Sequence, residues 1–184
     1  MYVSKGTFSG HKDFIYAVER LTDDLVASGS GDNSIIVWSI SQNTEVYRLL
    51  DHKDDVFALL KMTDNYLLSA SGDKTIKLWS LSDRKCVQTF EKHTDMVISL
   101  VKIDDDKFAS GSMDKTVKVW SIKKGLLYTL EGHSDWVMSL VKMNDNTIIS
   151  GSGNIDSIKI WSLIYKSCIG TLSGHSNYVS SLVK

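Results

Sequence analysis

HTDMVISLVKIDDDKFASGSMDKTVKVW, residues 93–120, decides the fold. VISLVKI and FASGS are short runs rich in β-branched and aromatic residues, the composition of strands. The acidic DDDK between them is a polar turn. TVKVW alternates apolar and polar residues and reads as a third strand, joined to the second by MDKT. The unit predicts a meander of three antiparallel strands. Its apolar residues do not recur at i, i+3, i+4 and i+7, so it predicts no helix.

The same unit starts again at His11, His52 and His133 and ends at Trp38, Trp79 and Trp161. The four tryptophans stand 41 residues apart; the histidines, continuing to His175, stand 40 to 42 apart. A fixed period of this size is the mark of a repeat architecture. Each segment from a Trp to the next His supplies a fourth strand: EVYRLL, CVQTF, LLYTL and CIGTL. YVSKGTF at residues 2–8 is similar to these, and YVSSLVK at residues 178–184 is similar to the first strand of a unit. The expected inventory is a lone fourth strand, four complete units and a lone first strand. A single segment spans residues 1–184, with repeats at about 10–50, 51–91, 92–131 and 132–173 and a partial one at 174–184.

Composition agrees with an all-β chain of one sizeable core. Apolar and aromatic residues make up 42% of the 184 residues and run through the whole length. Proline is absent, as suits laddered strands, where each would remove a donor. The net charge of −1 gives no general attraction to nucleic acid or to an anionic membrane. The N-terminus lacks the apolar run of a signal peptide, and no stretch is long and apolar enough for a spanning helix. Cys86 and Cys168 each lie seven residues after a repeat Trp, two repeats apart. That separation is too great for a disulfide and two thiols make a poor zinc site, so no metal or other cofactor is expected. Free thiols point to a reducing compartment, the cytoplasm, with the nucleus left open.

Four-stranded units of this length, punctuated by Gly-His and Trp, resemble the WD-repeat family of β-propellers. Gly-His occurs at Gly10-His11, Gly132-His133 and Gly174-His175, while Asp51-His52 and Lys92-His93 replace it in the second and third repeats. SGSGD, SASGD and SGSMD match the family's second strand and turn. The family's terminal Trp-Asp is Trp-Ser in all four repeats. The resemblance implies a propeller that is incomplete, with four full repeats plus a lone strand at each end. It implies further blades of a longer propeller, or pairing with another copy to close the ring.

Ser, His and Asp at fixed spacing suggest a catalytic triad. A triad is needed once, however, and this set recurs in register with a Trp. The resemblance implies hydrogen-bonded tetrads that pin loop and turn to sheet: His11, Ser28, Asp32 and Trp38; His52, Ser69, Asp73 and Trp79; His93, Ser110, Asp114 and Trp120. The fourth, His133, Ser150 and Trp161, has Asn154 at the Asp spacing and one extra residue before the Trp. Either Asn154 takes the Asp place or Asp156 reaches back into it, and this repeat is expected to be the weakest.

The residues that vary inside this frame carry the functional expectation. Three after each His come Phe14, Asp55, Met96, Trp136 and Tyr178; two further on come Tyr16, Phe57, Ile98, Met138 and Ser180. A near-constant Ile15, Val56, Val97, Val137 or Val179 separates the two sets and takes the other side of the strand. The resemblance places the variable residues, with Met113 of the SGSMD turn, at the top mouth of the channel, as a contact surface for a protein or peptide. The second set could equally pack between blades.

At the opposite end recur Lys61, Lys102, Lys142 and Lys184, with Arg20 in the equivalent place. Acidic turns follow each one, so a solvated face of cancelling charge is expected. No phosphate loop, metal cluster or nucleophile–base pair stands outside the repeats, which argues against an enzyme. Two classes remain: a protein-interaction scaffold binding at its top face, or a structural piece of a larger propeller without binding of its own.

Overall fold

The computed structural model describes residues 6–153 and 158–183. Its strands form four antiparallel sheets of four, each in sequential order. The first sheet holds β1 (Ile15–Arg20), β2 (Leu25–Ser30), β3 (Ile35–Ser39) and β4 (Thr44–Leu49). The second holds β5 (Val56–Lys61), β6 (Tyr66–Ser71), β7 (Ile76–Ser80) and β8 (Lys85–Phe90). The third holds β9 (Val97–Lys102), β10 (Lys107–Ser112), β11 (Val117–Ser121) and β12 (Gly125–Leu130). The fourth holds β13 (Val137–Asn144), β14 (Thr147–Ser152), β15 (Ile158–Ser162) and β16 (Ser167–Leu172).

Tight turns close the hairpins. Asn33, Lys74 and Lys115 hold φ of 67–70° in the turns between second and third strands. Side chains other than glycine rarely adopt this region, and the preceding Asp compensates. Asp73 Oδ1, for example, accepts from the Thr75 N–H at 3.0 Å and from its hydroxyl at 2.6 Å.

The core lies between successive sheets. Ala27, Ile35, Val37 and Leu49 of the first pack on Val56, Leu67 and Trp79 of the second. Leu68, Ile76, Leu78 and Phe90 then meet Val97, Phe108 and Trp120, and Ala109, Val117, Val119 and Leu130 meet Val137, Ile148 and Trp161. The first strands β1, β5, β9 and β13 pack on one another in turn, which makes them the innermost edge. Close approach has a glycine signature: a Cβ on Gly111 would stand 2.7 Å from Val137 Cγ1 and 3.0 Å from the Val137 carbonyl oxygen.

The repeated lysines are not merely a solvated face. Lys61 Nζ donates to the Leu21 carbonyl of the preceding sheet at 2.5 Å, Lys102 to that of Met62, and Lys142 to that of Ile103 at 2.7 Å. Each also pairs with the acid three residues on: Asp64 at 2.9 Å, Asp105 at 2.7 Å and Asp145 at 2.8 Å. The lysine stem reaches back across the interface, and the acidic turn holds its head in place. Arg20, with no sheet before it among the described residues, donates to the Thr22 carbonyl of its own turn. Lys184 lies outside the described residues.

The ends differ from the interior in a way the repeats make measurable. Ile15 is 53% exposed, whereas Val56, Val97 and Val137 at the same place are 0%. Leu172 is 52% exposed, whereas Leu49, Phe90 and Leu130 are 2–4%. Among the described residues, the lone strands expected at the termini form no ladder. Residues 6–14 and 173–183 carry no strand, and residues 2–5 lie outside the described part. A strand is held by its neighbour, and these have none beside them among the described residues. Val179 is nevertheless buried like its equivalents and docks on the fourth sheet: its N–H donates to the Ser152 carbonyl at 3.1 Å, and its own carbonyl accepts from Ser139 Oγ at 3.1 Å.

Candidate functional site

The tetrads build the frame on which the top row stands. In the third, Trp120 Nε1–H donates to Ser110 Oγ at 2.8 Å. The Ser110 hydroxyl donates to His93 Nε2 at 2.7 Å, and His93 Nδ1–H donates to Asp114 at 2.6 Å. That direction follows from the chemistry, because an ionised Asp can only accept and so fixes the tautomer. The first and second tetrads repeat the chain: Trp38, Ser28, His11 and Asp32, then Trp79, Ser69, His52 and Asp73, with links of 2.6–2.9 Å. Burial works against ionisation of Asp114, but hydrogen bonds from His93, Thr116 and the Thr94 amide hold its carboxyl well below the usual range. Asp32 and Asp73 are held low by the same kind of set. Burial, opposed by Asp114, lowers the His93 pKa. All four serines are buried and hydrogen-bonded to both His and Trp.

The fourth tetrad is intact from Trp161 through Ser150 to His133, at 2.7 and 2.5 Å. His133 Nδ1 has no partner among the described residues. Asn154 and Asp156 lie outside them. Burial first, then Lys159, pushes the His133 pKa down to about 4.

Above this frame the variable residues sit on a clamped backbone. The carbonyls of Phe14, Asp55, Met96 and Trp136 accept from the amides of Gly31, Gly72, Met113 and Gly153 at 2.9–3.0 Å. Their own amides donate to the side chains of Asp13, Asp54, Asp95 and Asp135, and that of Tyr178 to Asn177, at 2.7–2.9 Å. An acid two residues after each of the first four His was therefore a legible signal that the sequence reading passed over. Main chain and turn are fixed, and the side chains are left free to differ.

The row is exposed in part. Phe14 is 75% exposed, and Tyr16, Trp136 and Tyr178 are exposed as well. Asp55, Phe57, Met96, Ile98, Met113 and Met138 are half-buried. Tyr16 meets Phe57 of the next sheet at 5.0 Å between ring centroids, and Phe14 lies 6.4 Å from Tyr16. Phe57 thus takes part in packing between sheets, while Phe14 and Trp136 face outward. No group of three or more His, Cys, Asp or Glu among the described residues could hold a metal.

The family model "WD domain, G-beta repeat" matches residues 2–39, 43–80, 84–121 and 124–162. Its units begin one strand earlier than a His-to-Trp count, on the outer strand of the sheet before. Among solved structures, the WD40 β-propeller domain of Doa1 is similar with a TM-score of 0.84 and 31% identity over 96% of this chain. "Structure of U3-55K" and "Crystal structure of RRP9 WD40 repeats" each give a TM-score of 0.85 at 24% identity over 93% of it. The chain spans 54–59% of the length of those structures. No curated protein matches it. The four sheets are propeller blades, and the chain belongs to the WD-repeat family.

Proposed function

We propose that the chain is a non-enzymatic interaction module that binds a protein or peptide on its top row, Phe14, Tyr16, Asp55, Phe57, Met96, Ile98, Met113, Trp136, Met138 and Tyr178. WD-repeat propellers are generally protein-interaction scaffolds. The observation that carries the finer reading is the clamped main chain beneath exposed aromatic side chains. Aromatic anchors on a rigid frame lose little entropy on binding and supply most of an interface's energy. The reading needs no cofactor, nucleic acid or membrane. It places the chain in the cytoplasm or nucleus, where the thiols of Cys86 and Cys168, free in the structure, stay reduced.

Partners captured on the immobilised chain should bind Trp136→Ala and Phe14→Ala more weakly, by about 1–3 kcal/mol each. Melting curves should hardly move, because neither ring is in the core. Loss of fold in both variants would make these side chains structural and remove the site.

A second reading rests on Ile15 and Leu172, whose equivalents are covered three times within the chain, those of Ile15 by the preceding blade and those of Leu172 by the next. On this reading the end faces are covered by blades of the same repeat, in a longer propeller or in a second copy. Light scattering on the 184-residue chain should then show self-association. A monomer that binds no hydrophobic dye would mean that the faces are sealed without a partner.

A further inference from the structure

The top row is not chemically uniform. Among Phe14, Asp55, Met96, Trp136 and Tyr178 the single charged member is Asp55. It stands where the rings are densest, beside the Phe14, Tyr16 and Phe57 cluster that bridges the first two blades. Partial burial raises the Tyr16 pKa, and the nearby Asp55 carboxylate raises it further, with Asp13 adding a second negative charge. Among the described residues neither Asp13 nor Asp55 is paired with a lysine or arginine, although ten other acids are paired with a cationic side chain or a histidine.

Exposed π faces beside an uncompensated carboxylate attract a cation. Among cationic side chains, a guanidinium fits this set in two ways at once. Its plane stacks on a ring, and its fork of N–H groups meets a carboxylate. An ammonium would use the charge but not the plane. A phosphate backbone would meet repulsion from Asp13 and Asp55. Further along the row, Met96, Met138 and Trp136 are uncharged and suit apolar residues.

We propose that Tyr16, Phe57 and Asp55 form a pocket for an arginine side chain of a bound peptide, with the guanidinium stacked on the rings and held by the carboxylate. This rests on the top row being the peptide-binding face. It goes further by naming the residue recognised and the place that recognises it.

The test is an NMR titration of the whole chain with N-acetyl-arginine amide, and with the citrulline analogue, which keeps the shape and loses the charge. Saturable shifts of the Tyr16 and Phe57 ring signals are expected with arginine and none with citrulline. Asp55→Asn should weaken the arginine titration about fivefold. That variant keeps the carbonyl that Gly72 N–H uses, so its melting curve should match the parent's. Phe57→Leu, which keeps apolar bulk and loses the π face, should weaken it as well and guards against a folding artefact in the first variant. Equal shifts with citrulline, no shifts with arginine, or unchanged affinity in both variants would overturn the pocket. Because the probe is a single amino acid, such a failure leaves the wider binding face standing. That face is judged separately by Trp136→Ala and Phe14→Ala in partner capture.

Discussion

Trp120→Ala should destabilise the chain by about 3–5 kcal/mol in denaturant melts, the range for removing a fully buried Trp. Three separate supports are lost at this one residue. Its ring stacks on Phe108 at 6.1 Å with planes 9° apart and meets Phe90 of the second blade edge-on at 5.6 Å. Its indole N–H saturates Ser110. It also lies in the core shared by the second and third blades, so an alanine there opens a cavity at an interface flanked on both sides. Trp120→Phe separates packing from hydrogen bonding. It keeps most of the apolar contact and loses the donor, for which about 0.5–1.5 kcal/mol is the expected cost. If the two variants lost equal stability, the hydrogen bond rather than the packing would hold the blade. The equivalent change at Trp38 should cost less, because among the described residues no sheet precedes the first blade and Phe8, at 5.2 Å, is its aromatic cover.

The same comparison explains what could be read in the sequence. The tetrads were legible because each needs four residue types at fixed separations, and the 41-residue period shows them in register. Blade topology was legible because every strand pairs with its neighbour in sequence. The lysine latch was not. A run such as VKI followed by DDD gives the charge of Lys102 and of the acids after it. It does not say that the stem crosses to the Met62 carbonyl, since that contact depends on how two blades sit together. The exposure of Ile15 was hidden for the same reason. Its place in the pattern equals that of Val97, and only the absence of a sheet beside it distinguishes the two. In the top row, period-two alternation placed Phe14 and Tyr16 on one side, but not the packing of Tyr16 on Phe57, which again joins two blades.

Lowering the pH from 7.5 to 5 should cost the wild-type chain about 2 kcal/mol through His133 alone. Burial and Lys159 push its pKa to about 4, while in the unfolded chain it returns to about 6.5. The folded state therefore refuses a proton that the unfolded state accepts. Below about pH 6.5 the unfolded state binds more protons, so stability falls as pH falls. The contribution is whole above that value and is lost progressively towards pH 4, where it amounts to about 3 kcal/mol. His93 shifts in the same direction and adds to the same limb. The carboxylates of Asp32, Asp73 and Asp114 act lower. Their folded-state pKa values are depressed, so their support is present above about pH 4 and is lost below it. Melts between pH 7.5 and 5 thus isolate the histidines, and His133→Gln, which cannot titrate, should remove most of the His133 part. The fourth tetrad explains why His133 is singled out. In the other three an Asp accepts from Nδ1–H, whereas His133 Nδ1 has no such acceptor among the described residues. Equal acid sensitivity in wild type and His133→Gln would contradict this account. It would mean that a carboxylate holds His133 as in the other blades, the result expected if Asp156 rather than Asn154 fills the place.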